Sequence, residues 1–179
     1  MNKNDILKIS RIERKDDNIY KYALNKETNT EFIISIINEK RNELKTINEN
    51  KLLHSFYNPE TEKYEASQYF MCQDIEYTSW HKEGKLHSPL NKDSIAMPAY
   101  IQKEENKLTI EYYSMRKRHS FMNKEGYYMP SKIIKESTFK ANSIIETYSI
   151  HGVDFIDKDE FLKEKMENPE EENINMINE

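Results

Sequence analysis

Five histidines are the side chains of this 179-residue sequence that are best suited to chemistry. They are His54, His81, His87, His119 and His151. An imidazole binds zinc or acts as a general base only when further ligands, or a nucleophile and an orienting group, converge on the same point. His87 and His119 begin two matching segments, HSPLNKDSIAMPAYI and HSFMNKEGYYMPSKI. Because equivalent residues of a repeat lie one repeat apart, we predict that both histidines hold hairpins and bind no metal.

The expectation for the whole chain is therefore no catalytic residue, no cofactor and no enzyme activity. Ser88 and Ser120 follow His87 and His119 directly, but adjacency in sequence does not make a nucleophile–base pair. A hydrolase or nuclease that uses His87 or His119 is the enzymatic alternative. The single cysteine, Cys72, excludes an intrachain disulfide and favours a reducing, cytoplasmic location.

The elements that position these residues repeat along the chain. The strings IEYTSW, IEYYSM and IETYSI begin at Ile75, Ile110 and Ile145, so their starts are 35 residues apart. The two histidine segments are 32 residues apart, and their prolines, Pro98 and Pro130, keep the same spacing. Loops absorb length changes and paired strands do not. The difference of three residues therefore predicts a hairpin loop before the histidine that is shorter in the second unit.

Strand patterns dominate the rest of the chain. Residues 18–24 and 31–37 are rich in β-branched and aromatic residues and predict a hairpin, whereas 39–51 fits either a short helix or a loop. Proline cannot donate to a ladder, so Pro98 and Pro130 should mark strand starts, bulges or edges. The fold class predicted is mainly β, an antiparallel meander of repeated β-hairpins with a short C-terminal helix.

Three regions follow from these patterns. Residues 1–60 form an N-terminal hairpin region, 61–156 the repeat region with units starting near 75, 110 and 145, and 157–179 a helix with an acidic, disordered tail. The last region holds nine acidic residues and three lysines, so it accounts for the net charge of −5. A nearly neutral body offers no strong electrostatic footprint for duplex nucleic acid. We see no membrane-spanning run.

The repeat resembles a degenerate MORN-like repeat of the kind found in bacteriophage and giant-virus proteins. The matching residues are Trp80, Gly84, Leu86, His87, Pro98 and Ala99 in one copy, and Tyr112, His119 and Pro130 in the next. Ser88 and Ser120 stand where the usual repeat has arginine. The resemblance implies an array of β-hairpins with an interaction role and no transferable catalytic residues. It also implies a viral accessory protein that inhibits or redirects a host defence system.

The candidate binding residues are aromatic and basic side chains on the predicted hairpins. They are Trp80, Tyr113, Arg116, Lys117, Arg118, Tyr127 and Tyr128. Tyrosine and tryptophan are common interface anchors, which favours a non-catalytic protein-binding module whose partner is a host protein. Tyr113 with the basic run 116–118 also fits RNA, since aromatic rings stack on bases and basic side chains contact phosphates.

Overall fold

The computed structural model describes residues 9–25, 29–91, 93–139 and 141–167. An 11-stranded antiparallel sheet runs through nearly all of it. Its strands, in order across the sheet, are β1 (Arg11–Lys15), β2 (Asn18–Asn25), β3 (Thr30–Asn38), β4 (Glu43–Thr46), β7 (Gln68–Cys72), β8 (Ile75–Ser79), β11 (Tyr100–Lys103), β12 (Lys107–Glu111), β15 (Lys132–Ser137), β16 (Asn142–Ile150) and β17 (Val153–Phe155). The predicted antiparallel meander is confirmed.

Three short two-stranded ribbons interrupt the meander. They are β5 (Tyr57–Asn58) with β6 (Lys63–Tyr64), β9 (His81–Lys82) with β10 (Lys85–Leu86), and β13 (Tyr113–Ser114) with β14 (Lys117–Arg118). The large sheet crosses residue 60 without a break, because β4 pairs with β7. Segment 39–51 contains strand β4 and no helix. The helical alternative for this segment was wrong because Leu44 joins the ladder between Ile37 and Tyr69.

The structural repeat is 32 residues long between the loop that contains His87 and the loop that contains His119. The amide of Trp80 donates to the carbonyl of Ala99 at 2.8 Å, and that of Tyr112 donates to Ser131 at 2.8 Å. Trp80 is thus equivalent to Tyr112, which lies 32 residues later. Aligning Ile75 with Ile110 shifts the strands by three residues, and an odd shift exchanges the two faces of a sheet.

The predicted three-residue shortening of the loop is therefore wrong. Ribbons β9–β10 and β13–β14 are both closed by two-residue turns. The prediction for the prolines holds, since Pro98 and Pro130 each lie two residues before a strand begins. There the amides of Ala99 and Ser131 donate to carbonyls of the neighbouring strand, and a proline in those positions would lose the bond.

Helix α1 (Lys158–Glu167) closes the described chain, as the sequence predicts. The carboxylate of Asp157 caps it by accepting from the amide of Asp159 at 2.7 Å. Phe161 is fully buried and its ring centroid lies 5.2–5.8 Å from those of Tyr128, Tyr148 and Phe155. The predicted acidic tail from residue 168 lies outside the described residues.

The buried residues that the structure describes include as many serines as hydrophobic residues, eight of each. Of the eight described residues that are less than 2% exposed, Phe161, Ile34 and Ala99 are apolar and five are serines. The serines are Ser67, Ser88, Ser120, Ser131 and Ser149. A compact apolar cluster is found near the N-terminus, where Ala23, Ile34 and Phe56 pack with Phe32. The repeat region must therefore gain much of its order from hydrogen bonds.

Candidate binding groove and the serine ladder

Each histidine–serine loop is joined to the following unit by a reciprocal pair of hydrogen bonds. The amide of the serine donates to a backbone carbonyl, and the serine Oγ accepts from the amide of that same residue. The pairs are Ser55 with His81, Ser88 with Tyr113 and Ser120 with Ser149, at donor–acceptor distances of 2.7–3.1 Å. We call this arrangement the serine ladder. A side-chain oxygen here completes a backbone bridge, which explains why the serines are buried.

The histidines that precede these serines are held by their backbones. The amides of His54, His87 and His119 donate to the carbonyls of Thr46, Trp80 and Tyr112 at 3.0–3.1 Å. The carbonyl of the residue before each histidine accepts from the next ribbon turn, at Gly84, Arg116 and Gly152. His54, His87 and His119 are thus equivalent members of one stack.

Their rings differ. Nδ1 of His54 accepts from the amide of Glu83 at 3.3 Å, as expected of a histidine that holds a hairpin. The buried Nδ1 atoms of His87 and His119 make no hydrogen bond within the described residues, although both residues have other contacts. The ring of His119 lies 5.1 Å from Phe121 and 5.0 Å from His151. Packing therefore contributes to the position of His119.

A serine–histidine pair that the sequence analysis missed lies at the first ribbon. Oγ of Ser67 is 2.8 Å from Nδ1 of His81 and donates to the carbonyl of Ser79 at 3.2 Å. Since the hydroxyl has one proton, Nδ1 of His81 is then the donor to Oγ. Burial lowers the pKa of His81, which favours the neutral ring. Ser67 is fully buried, so this pair has no access to a substrate.

The predicted basic hairpin tip is partly neutralised. A guanidinium nitrogen of Arg118 lies 2.6 Å from a carboxylate oxygen of Asp154, and the hydroxyl of Tyr113 donates to Glu111 at 2.7 Å. Arg116 and Lys117 are exposed. The structure thus brings Tyr113 and residues 116–118 together on one ribbon. The side chains of Tyr113 and Arg118 are already bonded to carboxylates of the protein.

The other candidate residues lie apart from this ribbon. Nε1 of Trp80 donates to the carbonyl of Tyr64 at 3.1 Å, which fixes the indole against the preceding ribbon. Tyr128 packs edge-on against Phe161 of helix α1, whereas Tyr127 is 65% exposed. Among these three, Tyr127 is the side chain available to a partner.

An open groove of about 420 Å³ lies on one face of the sheet, across β11, β12 and β15. Residues that contribute to its lining are Tyr100, Gln102, Thr109, Glu111, Tyr113 and Lys132. We call this the groove face. Of these residues, Tyr113 was predicted from the sequence and the others were not. They share one face because they occupy alternate positions of paired strands. An alignment of the units at a spacing of 32 residues puts equivalent residues on the same face, whereas a spacing of 35 residues puts them on opposite faces.

Aromatic rings extend the groove along the sheet. The rings of Phe70 and Tyr77 stack with centroids 4.5 Å apart, and Tyr77 lies 6.5 Å from Tyr100. The hydroxyl of Tyr100 donates to Oε1 of Gln102 at 2.8 Å. These contacts hold the rings in place before any ligand arrives.

A single carboxylate, that of Glu111, contacts two other side chains that line the groove. Glu111 accepts from the hydroxyl of Tyr113 and lies 2.9 Å from Nζ of Lys132, and its side chain is only 12% exposed. Burial, followed by the charges of Tyr77, Glu111 and Glu104, raises the pKa of Tyr100 to about 12. Burial and the bond to Glu111 also raise the pKa of Tyr113. Both phenols are therefore neutral donors at physiological pH, suited to binding.

Comparisons with known protein families, with curated proteins and with solved structures find no match. Within the described ranges, no three histidine, cysteine, aspartate or glutamate side chains are grouped closely enough to hold a metal ion. The described chain also has no helix that is long and apolar enough to cross a membrane.

Proposed function

We propose that this protein is a non-catalytic protein-binding module whose contact surface is the groove face. The observation that carries the proposal is the fixed pair of tyrosines, Tyr100 and Tyr113, which line the groove together with polar side chains. Each phenol is oriented by a short hydrogen bond to a neighbouring side chain. Tyrosine loses little conformational entropy on binding, and rings that are already ordered lose still less.

The shape and polarity of the groove favour a protein segment as its ligand. An interface typically combines aromatic anchors with a small number of polar groups, and the groove has this composition. The open form admits an extended segment that lies along the sheet. Gln102 and Thr109 line the groove with polar side chains, and the amide of Gln102 is itself held by hydrogen bonds to Tyr100 and Glu104.

The resemblance to MORN-like repeats supplies the class of partner. On that basis the partner is a host protein, and the protein is a viral accessory factor that inhibits or redirects a host defence system. The 32-residue hairpin units and their stacked loops support an array of this type.

Contacts in the structure bear on two alternatives. A serine hydrolase that used Ser88 or Ser120 would need a reactive hydroxyl, but both serines accept hydrogen bonds from backbone amides and are buried. An RNA-binding tip would use the three cations of residues 116–118, and the pairing of Arg118 with Asp154 leaves two of them exposed. His87→Ala and His119→Ala test the enzymatic alternative. If histidine is structural, both variants melt at lower temperature; if it is catalytic, both melt like wild type and lose activity.

Site-specific photo-crosslinking tests the binding proposal. A benzophenone amino acid replaces Tyr100 on the groove face, and in a matched variant it replaces Lys135, which lies on the opposite face of the same sheet. Both proteins are irradiated in host-cell extract. We expect a discrete protein adduct from position 100 and none from position 135.

A second variant connects the adduct to the groove. Tyr113→Ala in the position-100 background should weaken capture at least tenfold, whereas Tyr127→Ala should leave it unchanged. The same adduct from positions 100 and 135, or capture that survives Tyr113→Ala, would contradict the proposal. Capture of RNA in place of protein would favour the nucleic-acid alternative.

A further inference from the structure

Strand β16 has two halves with different neighbours. Residues 148–150 pair with β17, whereas residues 142–147 pair, within the described chain, with β15 alone. The carbonyl of Thr147 faces β15, where it accepts from the amide of Ser131 at 2.8 Å. Because backbone groups alternate in direction along an antiparallel strand, those of Ile144 and Glu146 face the open side. We call residues 142–147 the open edge.

The open edge lacks the features that normally protect an edge strand. Its sequence, NSIIET, contains one charge and no proline, and the side chains of Ile144 and Ile145 are 63% and 51% exposed. The opposite end of the sheet is different. Strand β1 reads RIERK, in which four of five residues are charged. Charged side chains discourage a second strand from pairing, so β1 is guarded and the open edge is not.

The repeat itself places a strand at this position. In the two preceding units, β11 covers the equivalent edge of β8, and β15 covers that of β12. After β16 the chain forms β17 and then helix α1, which packs on Tyr148 and Phe155. The helix therefore packs beside the half of β16 that pairs with β17, and residues 142–147 have no further neighbouring strand in the described structure.

We propose that the open edge pairs with the open edge of a second copy of this chain, antiparallel about a two-fold axis centred on Ile144. In this register Ile144 meets Ile144, Ser143 meets Ile145, and Asn142 meets Glu146. The only charged residue of the segment thus faces an amide. A register centred on Glu146 opposes two carboxylates, which is unfavourable across a strand pair.

The chemistry of the two edges favours this closed dimer over a head-to-tail chain. A head-to-tail contact would need the guarded strand β1, and it would generate an open filament. The paired segment, residues 142–146, is about five residues long on each copy, well below the roughly 20–30 residues per side of a standard interface. We therefore expect a weak dimer that forms at high protein concentration.

Sedimentation velocity of the full chain over a wide concentration range tests the proposal. The wild type should shift from monomer to dimer as concentration rises. Ile144→Lys places a charge at the centre of the proposed interface and should abolish the shift. Ile12→Lys, the same substitution on β1, is the matched control and should dimerise like wild type.

Hydrogen exchange supplies a measurement that requires no variant. The amides of Ile144 and Glu146, which face the open side, should exchange more slowly at high than at low protein concentration, while those of β1 should not change. A wild type that stays monomeric at every concentration overturns the proposal. Loss of association in Ile12→Lys, or its persistence in a folded Ile144→Lys variant, also overturns it, because either result places the contact elsewhere.

Discussion

Ser120 illustrates how one hydroxyl maintains the connection between two units. Its Oγ accepts from the amide of Ser149, which is fully buried. Removing the acceptor leaves that amide without a partner, and a buried donor in this state costs about 1–3 kcal/mol. We expect Ser120→Ala to lower the free energy of unfolding by that amount, measured by urea denaturation. Ser143→Ala, at an exposed position, should change it by less than about 0.5 kcal/mol.

Arg116 has a backbone conformation in which the equivalent residues of the neighbouring units are glycines. Its φ is 78°, and the corresponding residues Gly84 and Gly152 have φ values of 75° and 92°. A residue with a Cβ is disfavoured there by about 1–2 kcal/mol. Arg116→Gly should therefore stabilise the protein by about 1 kcal/mol in thermal or chemical melts. Arg116→Gln keeps the Cβ but removes the charge and should melt like wild type; an equal gain from both variants would assign the effect to charge.

At the scale of elements, we expect helix α1 to stabilise the fold mainly through the side chain of Phe161. Phe161 is fully buried among three aromatic rings, and Met166 in the same helix is 83% exposed. Phe161→Ala should cost about 3–5 kcal/mol, the usual range for a buried phenylalanine. Met166→Ala is the control and should cost much less.

Truncation after Glu167 separates the helix from the residues that follow it. The segment beyond Glu167 contains few apolar residues, so we expect its removal to leave the melting temperature nearly unchanged. A large drop in melting temperature would show that this segment packs on the body.

The elements also show what a sequence can predict here. Period-two patterns identified the strands, because a half-buried strand needs alternation. The same patterns did not fix the register, since isoleucine and tyrosine occur on both faces: Ile75 and Ile110 begin similar strings but lie on opposite faces. Because the groove depends on register, Tyr100, Glu111 and Lys132 were not predicted as binding residues. Tyr113 was predicted because it is an aromatic residue on a hairpin beside a basic run.

At the scale of the whole molecule, Tyr100 of the groove should make the free energy of unfolding decrease at alkaline pH. The pKa of Tyr100 is raised to about 12, and the ordinary value in an unfolded chain is near 10. A raised pKa means that the folded state favours the protonated phenol. The stabilisation is therefore complete below pH 10 and is lost as pH rises from about 10 to about 12.

Urea melts at pH 9 and pH 11.5 measure this loss. Tyr100→Phe should show a smaller decrease between the two pH values than wild type, because it has no proton to lose. Tyr127→Phe, at an exposed tyrosine, should decrease as much as wild type. Equal decreases in all three proteins would contradict the assignment to Tyr100.

The abundance of serine in the interior should also govern how the protein responds to temperature. Exposure of apolar surface raises the heat capacity on unfolding, and exposure of polar surface lowers it. A fold whose most buried side chains are largely serines should therefore have a heat-capacity increment below the usual value of about 12–15 cal/mol/K per residue. Its stability curve would then be broad and shallow, with little loss on cooling, and scanning calorimetry would measure the curvature directly.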